Sequence, residues 1–262
     1  MSLHEFLSQD PSCRGLAEGA IRATSPLLDD EDPEAVLTQI NGWATHLAGR
    51  MPLPWNFHTA LDELNRFLFL ELGFRGDRET YDDPRNALLP IVLRRHRGLP
   101  IALSILWIEL ARRLGFDAVG VALPGHFICG VRHDLGLLCF DPFNQGIPVG
   151  IEGAADLVHR ATQGRIPFRL EMLSACSDRA ILARLVRNLH SRFLKAEAWD
   201  EVLWTSTHLI LLEPDDPDHW RTRAQVHAER GEVAAAQADL REAARRSPDK
   251  PRPAPAKKTK GR

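Results

Sequence analysis

Apolar positions recur at three- and four-residue spacing through the first part of the chain, and each such run is bounded by residues that start or stop helices. In "DPEAVLTQINGWATHLAGR", Pro33 stands at a first helical position and Val36, Leu37, Ile40, Trp43, Ala44 and Leu47 form one face. "HTALDELNRFLFLELGF" repeats the device with Leu61, Leu64, Phe67, Leu68 and Leu72, and Gly73 ends it. "YDDPRNALLPIVLRRHRG" opens with Asp82 or Asp83 as a cap and Pro84 at the first helical position, and Pro90 predicts a kink or restart. The next segment, "LPIALSILWIELARRLGF", is apolar nearly all round until Arg112 and Arg113, which predicts a helix at the centre of a domain.

The period then shortens. Three apolar runs, near 118 to 123, 126 to 132 and 137 to 141, are separated by "LPG" and "HDLG", which read as turns. Helices followed by a small antiparallel sheet predict an α+β fold. From residue 179 helices return with an internal repeat: "LLEPDDP" (211 to 217) aligns with "RRSPDKP" (245 to 251) at an offset of 34 residues. Trp220, Gly231, Ala236, Leu240, Ala243 and Pro248 fall at the landmark positions of the tetratricopeptide repeat. The first copy is weaker. Leu189, Phe193, Leu209 and Pro214 are in register, but Val202 replaces a small residue and Ser206 an apolar one. Two repeats rarely stand alone, so they are expected to pack on the first domain. The predicted organisation is N-terminal helices over 1–49, an α+β domain over 50–172, an all-α repeat region over 179–249 and a disordered basic tail over 250–262.

Composition narrows the function classes. Of 262 residues, 44% are hydrophobic and 26% charged, the profile of an ordinary globular protein. The net charge of -2 hides an asymmetry, because the last thirteen residues hold six bases and no acid and leave the rest at about -8. A broad nucleic-acid-binding face is therefore not expected, and any RNA or membrane tether would lie in the tail. No secretion signal is read at "MSLHEFLSQDPSC", and the longest apolar run, broken by Ser104 and Glu109, is too short to span a bilayer. The expected location is the cytoplasm. Cys13, Cys129, Cys139 and Cys176 lack C-x-x-C spacing, and His190, His208, His219 and His227 lack metal spacing, so reduced thiols, no metal and no cofactor are expected.

The chemistry-bearing residues flank the sheet. His126 begins one strand in "PGHFICGV" and Asp141 ends the next in "LLCFDPF", which makes them neighbours if the strands form a hairpin. A thiol-based acyl-transfer site needs these two groups and, in addition, a cysteine at a helix amino terminus. "RGLPIALSILWIELARRLGF", "LPGHF" and "FDPFNQG" together resemble the transglutaminase-like superfamily, and in particular its bacterial SirB branch, in which such a domain precedes tetratricopeptide-like helices. The resemblance covers roughly residues 50 to 248, and Tyr81, Pro84, Asn86 and Gly98 suit that branch's lead-in. It implies a papain- or transglutaminase-like fold, with His126 and Asp141 as the family histidine and aspartate and with Pro100 at the nucleophile position. Proline has neither a thiol nor the backbone N–H that a nucleophile there offers an oxyanion.

Other residues do not replace the thiol. Ser104 lies one turn further along the helix, roughly 6 Å up its axis, and is expected to be satisfied within that helix. Cys129 and Cys139 read as small buried hydrophobes, Cys129 facing away from His126. Arg94, Arg95, His96 and Arg97 read as a solvated helix end. Two readings stay open: a catalytically degenerate binding scaffold, or a hydrolase or acyltransferase that uses His126 and Asp141 with a non-standard nucleophile. In the first, Pro100, His126, Asp141 and Asn144 line a small-ligand or peptide cleft. Trp204, Trp220 and Arg223 then face a protein or peptide partner on the inner side of the repeats, although Trp220 at its landmark position also suits a core.

Overall fold

The helix that begins at Pro100 is buried from Pro100 to Ala111, as its pattern predicts, and the other elements are laid around it. The structure, a computed structural model, describes residues 1–247 apart from 14, 29–31, 52–55 and 135. Pro248 and the basic tail lie outside the described residues.

In chain order the elements begin with α1 (Leu3–Gln9), α2 (Leu16–Thr24), α3 (Pro33–Arg50), α4 (Phe57–Asn65), β1 (Arg75–Gly76), α5 (Leu89–Arg95) and β2 (Arg97–Gly98). The central helix α6 (Pro100–Arg113) is followed by β3 (Ala118–Leu123), β4 (His126–His133), β5 (Gly136–Asp141), β6 (Ile147–Val149), α7 (Ile151–Thr162) and β7 (Ala175–Cys176). Two helical hairpins close the described chain: α8 (Asp178–Lys195) with α9 (Trp199–Leu212), and α10 (Pro217–Glu229) with α11 (Val233–Arg246).

Starts and stops follow the sequence signals. Asp32 accepts a hydrogen bond from the Glu34 amide and Pro33 follows at the first position of α3. The lead-in differs from expectation. Asp83 caps only a short 3₁₀ turn over Pro84–Ala87, and the α-helix restarts at Leu89 with Pro90 in its first turn, where a missing donor costs nothing. Beyond Asn65 the expected helix continues as a π-turn over Arg66–Glu71 before Gly73, at φ 71°, ends it.

The sheet has five strands in the order β6-β5-β4-β3-β7, all antiparallel, two more than the pattern predicts. The additions are short edge strands, and β6 carries Pro148, tolerable only at an edge or a bulge. Strand alternation splits the core between the two faces of the sheet. Phe127, Cys129 and Val131 join the main core, whereas Val121, Leu123 and Ile128 join a smaller cluster with Ala154 and Val158 of α7.

The main core runs without a break from Leu3 of α1 through α6 to Val226 of α10. Helix α8 packs on α2, α6 and β3, which meets the expectation that the repeats lean on the preceding domain. The approach is close at Gly120, where a Cβ would lie 2.7 Å from both Ile181 Cδ1 and Phe127 Cζ. Among the described residues no helix is long and apolar enough to cross a membrane.

Candidate functional site

The hairpin of β4 and β5 carries His126 at its opening and Asp141 at its close, and the two side chains meet. With Cys129 opposite Phe140, Asp141 lies diagonally across the ladder from His126, and His126 Nε2 donates to Asp141 Oδ2 at 2.9 Å. Asp141 also caps the 3₁₀ turn of Pro142–Asn144: its Oδ1 accepts from the amides of Phe143 (3.1 Å) and Asn144 (3.3 Å). Asn144 Nδ2 donates to Asp141 Oδ2 at 2.6 Å. Gln145 at φ 60° and Gly146 at φ 69° then reverse the chain, and a Cβ on Gly146 would overlap the Phe69 ring. That turn is what brings Asn144 back onto the aspartate.

The pair is not equally accessible. The Asp141 side chain is fully buried and that of His126 is 10% exposed. Burial pushes the Asp141 carboxyl upward, but the hydrogen bond and charge of His126 and the two donors of Asn144 outweigh it, so its pKa falls below the ordinary carboxylate value. The His126 ring meets Phe143 edge-on, with centroids 6.0 Å apart. Its backbone is held from the repeat side: Arg184 of α8 donates to the carbonyls of His126 (2.9 Å) and Leu123 (2.8 Å). No sequence signal pointed to Arg184, because 58 residues separate it from His126.

Pro100 is buried at the start of α6, whose first turn has no side-chain cap. The preceding residue is pinned by the Leu99 amide donating to the Asn86 carbonyl at 2.8 Å. Asn86, fully buried, donates through Nδ2 to the Thr80 carbonyl and accepts from Arg95. Ser104 departs from expectation: its hydroxyl is buried and has no hydrogen-bond partner among the described residues.

The basic run does end α5, with Arg94 exposed in its last turn, and Arg95, His96 and Arg97 are engaged within the chain. Arg95 reaches the buried carboxylate of Asp77 at 3.4 Å, His96 ends α5 in the left-handed conformation with its ring stacked on Phe74, and Arg97 pairs with Glu79 at 3.3 Å. Strands β1 and β2 pair in parallel directly before α6 and form one wall of a polar cleft of about 420 Å³. Arg75, Asp77, Arg78, Glu79, Arg97 and Asn144 line it, together with Gly76, Phe143 and Gln145. Of the residues singled out from sequence, Asn144 lines this cleft, and Pro100, His126 and Asp141 are not among its lining residues. Gly76 must be small there, since a Cβ would overlap the Phe143 ring.

The thiols are unsuited to nucleophilic work. Burial pushes Cys13, Cys139 and Cys176 up to about 11, and Cys129 well above its ordinary value. At pH 8 a thiol of that pKa is ionised to only about one part in a thousand. Titration of the native protein with a thiol-disulfide reagent is therefore expected to show no fast-reacting cysteine, and four on unfolding in guanidinium. One fast thiol in the native state would contradict this assignment.

In the repeat region the three residues singled out are engaged within the chain. Trp204 packs half-buried against Phe193 and His208, with centroids 6.1 and 5.2 Å away. Arg223 forms a two-point ion pair with buried Asp239, at 2.7 and 2.8 Å. The Trp220 ring has the guanidinium groups of Arg223 and Arg246 over it, 5.2 and 4.5 Å from its centroid, and its Nε1 donates to the Pro214 carbonyl at 3.1 Å. Leu240, a landmark position, is 52% exposed. The turn from α9 to α10 brings one potential ligand atom each from Glu213, Asp216 and His219 within 4.8 Å of one another. Arg187 already pairs with Glu213 and His219 donates to it, so these groups close an ion-pair network.

Residues 34–187 match the transglutaminase-like superfamily, more than half of the chain, across the central helix and the His126–Asp141 hairpin. The chain belongs to the transglutaminase-like superfamily. In this transglutaminase-like protein, residues 189–257 match the tetratricopeptide repeat. A UPF0162 protein of Xylella fastidiosa is 37% identical over 180 residues, covering 68% of this chain and 64% of the relative. A UPF0162 protein of Vibrio cholerae is 30% identical over 164 residues, covering 62% and 60%. The chain thus spans less than two thirds of the length of these curated relatives. Among solved structures, that of menin, described as revealing the binding site for Mixed Lineage Leukemia protein, is 13% identical with a TM-score of 0.42. It covers 92% of this chain and 68% of that one, and a likeness of this size carries no argument.

Proposed function

We propose that this transglutaminase-like protein is catalytically degenerate and works as a binding scaffold, with the helix start that would bear a nucleophile occupied by Pro100. The observation that carries the reading is the coexistence of a formed His126–Asp141 contact with a proline at that helix start and with thiols held protonated by burial. A covalent acyl route needs a nucleophile within reach of the histidine, and the proline at the helix start together with the raised pKa of all four thiols supports the reading that none works there. Four unpaired cysteines suit a reducing compartment, so we place the protein in the cytoplasm. The small-ligand side of the scaffold is the region of Pro100, His126, Asp141 and Asn144. The repeats supply a protein or peptide surface, with Trp204, Trp220 and Arg223 shaping it from within. The division into 1–49, 50–172, 179–249 and a basic tail belongs to the same proposal.

The formed pair favours a second reading, a hydrolase or acyltransferase in which His126 activates water or a substrate thiol. Turnover of thiol-ester, amide and isopeptide substrates separates the two. The scaffold reading predicts rates equal to the uncatalysed background in wild type and in His126→Ala. Turnover abolished by His126→Ala with the fold intact would overturn it.

A further inference from the structure

We infer that the polar cleft beside the His126–Asp141 pair takes a small ligand by its oxyanion, a carboxylate or phosphate group held by the guanidinium groups of Arg75, Arg78 and Arg97. The inference rests on the binding reading above and names the chemistry of its ligand.

The cleft's volume of about 420 Å³ falls in the range of small-molecule sites. Its lining is polar, with Phe143 the one large apolar side chain, so an apolar ligand would leave charged groups without partners. Three guanidinium groups face two carboxylates, but those carboxylates do not neutralise the cleft. Asp77 is buried and committed to the Thr80 amide (2.8 Å), the Thr80 hydroxyl (2.9 Å) and Arg95, which is not part of the lining. Glu79 is 83% exposed and touches Arg97 at 3.3 Å, a solvated pair that a better-placed anion displaces at little cost. Arg75 is exposed and makes no ion pair or hydrogen bond through its side chain among the described residues. Arg78 lies over the Phe143 ring at 5.2 Å, which fixes its plane, and donates to Asn144 Oδ1. Planar guanidinium forks match carboxylate and phosphate oxygens in pairs, and three of them around one cleft favour an oxyanion over a neutral polar group.

The cleft is wired to the buried pair. Asn144 accepts from Arg78 on one side and donates to Asp141 on the other, so an anion competing for Arg78 frees Asn144 Oδ1, two contacts away from His126 through Asp141. Occupancy should therefore register on the His126 ring, although the ring does not line the cleft.

The test titrates two probes into the full chain: inorganic phosphate, and an N-acetylated dipeptide with a free terminal carboxylate, the dipeptide's terminal amide being the control. Heat and NMR shifts are the readouts. Saturable binding in the millimolar range or tighter is expected for at least one anion, with the His126 ring signals moving and the amide inert. Binding of phosphate alone assigns a phosphorylated ligand, and binding of the peptide acid an unmodified carboxylate. Arg75→Gln, which disturbs no described contact, is expected to weaken binding about tenfold. Absence of saturation by both anions, or binding unchanged in Arg75→Gln, overturns the inference. Anion binding in a protein that also turns over substrate would instead overturn the scaffold reading and leave the cleft assignment standing.

Discussion

Replacing Asp141 with alanine is expected to destabilise the protein by about 3–5 kcal/mol, a large share of the roughly 5–15 kcal/mol by which proteins are ordinarily stable. The carboxylate is fully buried and accepts from His126 Nε2, from the Phe143 and Asn144 amides and from Asn144 Nδ2. Truncation strands those donors in a water-excluded place, and leaving a buried donor unpaired costs more than the bond was worth when made. Urea denaturation of Asp141→Ala and of Asp141→Asn measures the effect. The asparagine is expected to lose less, because its amide oxygen still caps the turn. A loss below about 1 kcal/mol for alanine would show that the pair is peripheral to the fold. The same carboxyl sets an acid limit. Its folded pKa lies below the ordinary aspartate value of 3.8, so its stabilisation is complete above that value and is lost as the pH falls further through the folded pKa. Stability of the wild type should therefore drop more steeply below pH 3.8 than that of Asp141→Asn.

Trp107→Ala is expected to cost about 3–5 kcal/mol by a different route, a cavity at the centre of the core. Trp107 is fully buried in α6, its ring lies over Phe140 at 5.3 Å and 27°, and its Nε1 donates to Asn65 Oδ1 at 2.7 Å. Asn65 in turn donates to the Gly146 carbonyl, so the tryptophan ties α6 and α4 to the turn that presents Asn144. Trp107→Phe separates the two contributions: it keeps most of the volume and removes the hydrogen bond, and a cost near 1–2 kcal/mol is expected. Thermal or chemical denaturation of both variants checks the ranking.

Elements with a strong local signal were legible. The apolar run 100–111, the hairpin closed by "HDLG" and the proline-led helices are each specified by residues within one element, and the structure places them there. His126 and Asp141 were legible as neighbours because hairpin pairing converts sequence position into distance. What escaped depends on segments far apart in the chain. The polar cleft joins residues 75–79, 97 and 143–145, and only the parallel pairing of β1 with β2 brings the arginines together. Arg95 and Arg97 looked like solvent-facing charges because their carboxylate partners, Asp77 and Glu79, precede them by 18 residues. The π-turn after Asn65 leaves no mark in an apolar run that also fits a regular helix, and β6 and β7 are too short to show a period. The ion pair of Arg223 with Asp239 also escaped, because the spacing of one helix does not reveal a contact to the next.

Covalent capture tests the central claim most directly. The wild-type protein, incubated with an electrophilic acyl thiol-ester probe and read by intact mass, is expected to remain unmodified over times in which an active cysteine hydrolase labels to completion. A single stoichiometric adduct on any side chain, lost in His126→Ala, would show that a nucleophile works beside the histidine in spite of Pro100 and would contradict the account.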